Sequence, residues 1–201
     1  MAVLNAVVPT RPSCRSHALR LAWLIVGFAL GQLSLKAALP NREYQVKAIF
    51  LYNFVQFVHW PEAAFDGPTA PIRIGVLGYD PFDQALEAAI ENETVRRRPL
   101  QIVRSYRWED LRRCHLVFIS ASERYRIQDV LRGLSSSPVL TISEIPGFAE
   151  RGGAINFFLE VQKVRFEINP SAARRHDIKI GAQLLKLARI IGPPSGEVER
   201  P

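Results

Sequence analysis

The 201 residues carry 26 Lys and Arg against 19 Asp and Glu, a formal net charge of +7, with two cysteines and four histidines. The cysteines and histidines show no spacing that suits zinc. Much of the excess charge sits in the first residues, which weakens a nucleic-acid reading based on the whole chain.

Residues 1–20 hold Arg11, Arg15 and Arg20 and no acid, and the apolar run Leu21–Leu30 follows, fading through Gly31 and Gln32. Small residues come after it in Leu35-Lys36-Ala37-Ala38. A basic start, a short apolar run and a small-residue site form a secretory signal, and the run falls short of the ~20 residues that span a bilayer. The reading is therefore a signal peptide over 1–37 and one exported domain over 38–201, long enough to bury a continuous core. Removing four of the 26 basic residues and none of the 19 acids leaves +3. The cluster Arg96-Arg97-Arg98 before Pro99 then reads as a solvated loop, with no nucleic-acid partner. Only Cys114 remains, ahead of an apolar run, and it reads as a buried thiol.

The first element of the domain is a helix over 43–58. Asn41 is its expected cap, Glu43 suits its positive end, and Tyr44, Ala48, Leu51, Val55 and Val58 follow helical spacing. Phe50, Phe54 and Phe57 widen the stripe, and Trp60-Pro61 ends it. Strands are expected at 72–77, 100–103, 116–119 and 139–142, with helices over 81–89 and from 121 or 122 to 131. That alternation predicts right-handed crossovers and a covered parallel sheet. Residues 154–159 and 164–168 leave no room for a helix between them, so they form an antiparallel hairpin. Asn169-Pro170 starts a helix, and the last helix runs over 182–190 before a frayed tail from Gly192. The fold class is α/β: three layers, a mostly parallel Rossmann-like sheet with a C-terminal antiparallel hairpin, and helices on both faces.

The sequence assembles no catalytic set. Gly75 and Gly78 follow a strand without GxGxxG or P-loop spacing, so Gly75 reads as a close-packing or turn residue. Adjacent Glu109 and Asp110 do not make an acid–base pair. No metal and no cofactor are expected. The segment 145–157 stands out, with Gly147, Gly152 and Gly153 for unusual backbone angles and with Phe148, Arg151 and Asn156 beside them. On residues alone it reads first as a tight loop into the hairpin, and second as a holder for a small anion or a peptide.

Residues 43–61, from Glu43-Tyr44-Gln45 to His59-Trp60-Pro61, resemble the opening of YfiR-like proteins. The segments 72–82, 147–157, 164–169 and 184–188 resemble successive parts of the same family, in the same order. The resemblance implies a non-enzymatic periplasmic regulator that binds and represses the periplasmic domain of an inner-membrane diguanylate cyclase or sensor kinase. It also implies a homodimer. Within that reading Trp60, Phe148, Arg151 and Asn156 are the candidate partner- or ligand-binding residues, Trp and Arg being enriched at interface hot spots. The alternative is a small-molecule-binding sensor. Val161-Gln162 stands where members often carry a Gly-Asn-like turn, which leaves the hairpin register open. A single cysteine in the domain also departs from members with structural disulfides.

Overall fold

The computed structural model describes residues 42–192; the expected signal segment 1–37, the expected cap Asn41 and the tail beyond Gly192 lie outside the described residues. Helix α1 (Arg42–Phe57) buries Ala48, Leu51, Phe54 and Val55 completely, the stripe its spacing dictates. Phe54 stacks on Phe157 at 5.7 Å and meets Phe166 edge-on at 5.1 Å, so aromatic contacts dock the helix on the hairpin. After α1 comes β1 (Val58–His59), paired antiparallel with β9 (Lys179–Ile180).

The main sheet contains β2 (Ile72–Leu77), β3 (Thr94–Val95), β4 (Arg98–Ser105), β5 (Leu116–Ile119), β6 (Leu140–Ser143), β7 (Ile155–Glu160), β8 (Lys163–Ile168) and β10 (Arg189–Ile190). Their order is β10-β8-β7-β6-β5-β2-β4-β3. β4, β2, β5, β6 and β7 are mutually parallel, while β7–β8 and β3–β4 are antiparallel hairpins. The other helices are α2 (Ala85–Ile90), α3 (Ile127–Leu134), α4 (Pro170–Arg174) and α5 (Ala182–Leu187). One face of the sheet packs on α1, Leu86 of α2, Ala172 and Ala173 of α4, and Leu184 of α5. The other packs on Leu111, on Ile127, Val130 and Leu134 of α3, and on Ile145 and Phe148. The expected three-layer, mostly parallel architecture is what the chain adopts.

Several details differ from the sequence expectation. α2 starts at Ala85 rather than Pro81, because Phe82 N donates to Asp80 Oδ1 at 2.8 Å and Asp83 takes φ +51°, a local turn that precedes the helix. The segment expected as a helix from 121 or 122 to 131 is a 3-10 turn at Ala121–Glu123 followed by α3. α5 stops at Leu187, and the residues after it become β10. Asn169 caps α4 as expected, its side-chain oxygen accepting from Ala172 N at 3.1 Å.

The arginine cluster is solvated only in part: Arg96 and Arg97 are exposed in a turn, and Arg98 is buried. Arg96 and Arg97 take φ +53° and +64° as the two central residues of the β3–β4 turn, the signature of a type I′ hairpin. Arg96 donates to the carbonyls of Gln56 and Val58 at the end of α1. Buried Arg98 donates to the Gly67 and Ala70 carbonyls at 2.7 and 3.0 Å, and its guanidinium lies 3.8 Å from the Phe65 ring centre. Two of the three arginines thus hold loops to the sheet.

Gly75 serves close packing, as expected: a Cβ there would come within 3.0–3.3 Å of Val117, Cys114 and Leu111. Cys114 is buried in the same place, and burial pushes its thiol up to about 12, away from reactivity.

His115, just before β5, is 2% exposed. Its Nδ1 accepts from Arg73 N at 3.0 Å, and its Nε2 is buried without a hydrogen-bond partner among the described residues. Burial first, and then the Arg73 charge, lower its pKa to about 4. A histidine held neutral in the folded state contributes its full stability above the unfolded value near 6.5. That contribution is lost as pH falls toward 4, by on the order of 3 kcal/mol. Urea unfolding between pH 7 and pH 4 should show this acid limb, and His115→Asn should flatten it. A limb of unchanged slope in the variant would remove His115 as its source.

Candidate functional site

The strand order places a crevice. The chain runs from β2 outward to β4, then returns to the opposite side of β2 as β5. In open α/β sheets ligands lie beyond the carboxyl ends of the strands where the order reverses in this way. Here that position lies between the turn after β2, with Gly78 and Tyr79, and the turn after β5, with Ser120, Ala121 and Ser122. Tyr79 N donates to Ser122 Oγ at 3.1 Å, and Ser122 Oγ donates to buried Glu123 at 3.0 Å. Gly78 has φ +88°, and a side chain there would collide with the Ser122 hydroxyl and the Glu123 carboxylate. A hollow of about 430 Å³ opens above these turns, walled by Tyr44, Tyr79 and Glu144. A second, of about 610 Å³, shares Tyr44, Ala121 and Glu144 with it and continues past Asn156 to Glu167 and Arg189.

The wall between the two hollows is charged. Lys47 of α1 is 3% exposed and is held by ion pairs to Glu43 and Glu144, while the Tyr44 hydroxyl donates to Glu144 at 3.0 Å. Burial, and next the Glu144 charge, raise the Tyr44 phenol well above its ordinary value, so it stays a hydrogen-bond donor. Glu167 is also raised, by burial, with Arg189 opposing the shift.

The glycine-bearing segment is the crossover from β6 to β7. No helix forms there, and the loop itself closes the second face of the sheet with Phe148 as its plug. Phe148, a candidate contact residue in the sequence, is fully buried. The reason is local: Gly153 leaves the space its ring fills, and a methyl at that position would overlap the ring. Asn156 is 2% exposed and templates the loop. Its Oδ1 accepts from Phe148 N at 3.2 Å, and its Nδ2 donates to the Ser143 and Phe157 carbonyls at 3.1 Å. Asn169 adds a bond to the Ala149 carbonyl at 3.0 Å. Arg151 is exposed and curls back on the loop, donating to the carbonyls of Pro146 and Gly147.

Trp60 lies apart from these three. It is 7% exposed at the amino end of β5, where its Nε1 donates to the His115 carbonyl at 2.8 Å. The structure therefore brings Phe148, Arg151 and Asn156 together, separates Trp60, and leaves Arg151 as the member of the set that reaches solvent.

The sequence reading passed over two features of the carboxyl edge. Lys47 sits three residues after Tyr44 and one before Ala48, on the buried stripe, and a lysine at such a position signals a buried pair. Three tyrosines stand out in the turns after β2, β4 and β5: Tyr79 at 66% exposure, Tyr106 at 68% and Tyr125 at 87%. Their turns are tied together by Tyr79 N on Ser122 and by Arg126, which donates to the Tyr106 carbonyl at 2.6 Å. Arg124 lies over the Tyr125 ring at 4.5 Å.

A family model described as YfiR/HmsC-like matches residues 44–189. The crystal structure of a conserved domain protein from Vibrio cholerae O1 biovar El Tor str. N16961 superposes with a TM-score of 0.51 at 11% identity. The match covers 73% of this chain and 59% of that one, and at this identity it is a likeness of fold. No curated protein matches the chain.

Proposed function

The chain belongs to the YfiR/HmsC-like family, a regulatory family of periplasmic proteins tied to diguanylate cyclase control, and from that premise we propose that it binds and represses an inner-membrane partner. The partner is a diguanylate cyclase, contacted through its periplasmic domain, and release of the contact raises cyclic-di-GMP. The protein reaches this compartment through its N-terminal signal and works as a homodimer. The observation that carries the reading is the family match itself, which takes in nearly all of the described residues. The exposed tyrosines and arginines of the carboxyl edge support it, since rigid aromatic side chains and Arg concentrate at contact hot spots. A repressor acts by preferring one state of its target, and its effect is bounded by that preference.

The test uses detergent-solubilised inner membranes with the exported protein as bait. Capture of a membrane protein that bears a cyclase domain, with a fall in its cyclic-di-GMP synthesis as bait is added, is the expected result. Capture with unchanged synthesis would refute repression. Arg151→Ala should weaken capture about tenfold while costing less than about 1 kcal/mol of stability, because its bonds are to exposed carbonyls. Unaltered capture by that variant would take Arg151 out of the contact.

The crevice between β2 and β5 favours a second reading, a small-molecule sensor whose occupancy sets partner affinity. A ligand bound to the native state alone raises the melting temperature. A screen of small metabolites that leaves melting unmoved would dispose of this reading.

A further inference from the structure

We propose that the open edge of β4, with α2 beside it, is a strand-addition site for an extended basic and apolar segment of a partner protein. β4 pairs with β2 along Leu100–Ser105, but on its other side β3 covers only Arg98 and Pro99. The Ser105 carbonyl accepts from Gly78 N at 2.9 Å, so it points toward β2. By the alternation of a parallel strand, Leu100, Ile102 and Arg104 point their N–H and C=O groups to the open side. No loop backbone among the described residues bonds to them. Unpaired edges of this kind template pairing with another chain, which is why sheets usually blunt or cover them.

The side chains of the same three residues turn toward α2. Arg104 is paired with Asp80 and, at 2.6 Å, with Glu87 of α2. Leu100 and Ile102 floor a groove of about 740 Å³ between strand and helix, with Ile90 on its far wall and Asp83, Glu87 and Glu91 at its rim. A groove between an edge strand and a helix is a recurrent way to hold an extended peptide. The backbone supplies affinity, and alternate side chains drop into the groove. Three carboxylates against one arginine select lysine or arginine next to apolar residues. A second copy fits poorly, because twofold antiparallel pairing of β4 with itself sets two acidic rims against each other. The proposal rests on the reading that this regulator works through protein contact, and it names the surface.

The test measures fluorescence anisotropy of a labelled decapeptide repeating Lys-Thr-Val-Thr, whose lysines and valines share one face of a strand, added to the protein at low salt. Two controls run beside it: the same peptide with glutamate in place of lysine, and the lysine peptide N-methylated on alternate residues. Preference for the lysine peptide by about tenfold, and loss of binding on N-methylation, are expected. Asp83→Lys with Glu91→Lys should weaken binding at least about tenfold. Ile102→Pro should abolish it, since it removes an outward amide. Should Ile102→Pro fail to fold, the two surface reversals carry the test. Equal binding of all three peptides, or self-association through this edge that excludes the peptide, would overturn the proposal. Cyclase capture that survives the charge reversals after peptide binding is lost would overturn β4 as the partner's surface and leave the regulatory reading standing. Absence of any cyclase capture with peptide binding intact would defeat the regulatory reading alone.

Discussion

Phe148→Ala is expected to destabilise the protein by about 3–5 kcal/mol in urea unfolding, the cost of removing a fully buried aromatic ring and leaving a cavity. The loss should be toward the upper end, because among the described residues it is a loop, not a helix, that covers this part of the second face. Gly153→Ala reaches the same contact from the other side: the added methyl overlaps the Phe148 ring and must displace it. That substitution should cost about 3 kcal/mol. The two losses should not add, because the alanine at 153 meets no ring once Phe148 is gone. Measured losses that sum within error would mean that the loop has a second way to seat Phe148.

Lys47→Ala should cost about 3 kcal/mol, since it takes the cation from the largely buried Glu144 carboxylate. Lys47→Met combined with Glu144→Gln should recover much of that loss. It removes charge from both sides of the pair while keeping side-chain volume and an acceptor for the Tyr44 hydroxyl. The comparison is made by chemical unfolding at neutral pH. A double variant as unstable as Lys47→Ala would show that geometry at Glu144, rather than charge, sets the stability of the wall.

The large elements were legible because each leaves a local mark in its residues. α1 follows from its apolar stripe, β5 from its unbroken apolar run, and the β7–β8 hairpin from two runs with no room for a helix between them. What escaped has a common cause in turns without glycine. Both hairpins turn through two residues of positive φ, the type I′ signature, yet they use Arg96-Arg97 and Val161-Gln162 in place of the usual Asn-Gly. The register left open at the second turn is Glu160 opposite Lys163. The two-residue strands β1, β9 and β10 exist only as pairings and leave no periodic trace.

Within the candidate site, the need for glycines in 145–157 was readable, but the direction of the neighbouring side chains was not. Asn156 and Phe148 turn inward because a missing Cβ at Gly153 and an amide's two-sided bonding suit the interior. Both facts depend on what lies across the loop. The tyrosine edge was invisible for a different reason, since Tyr79, Tyr106 and Tyr125 meet only through the adjacency of β4, β2 and β5.

The docking of α1 ties the two ends of the domain together. Its rings rest on Phe157 and Phe166, Val58 pairs with Ile180, and Gly181 N donates to the Phe57 carbonyl. Helix α1 therefore packs beside α2 early in the chain but finds its aromatic partners far along it, in β7 and β8. A nascent chain must carry the Phe50, Phe54 and Phe57 stripe uncovered until nearly the whole domain has emerged. Closing such distant contacts is slow and concentrates the aggregation hazard in the waiting period. Covering the aromatic stripe of α1 is then an event of the nearly completed domain, since the strands that receive it, β7 and β8, come late in the chain.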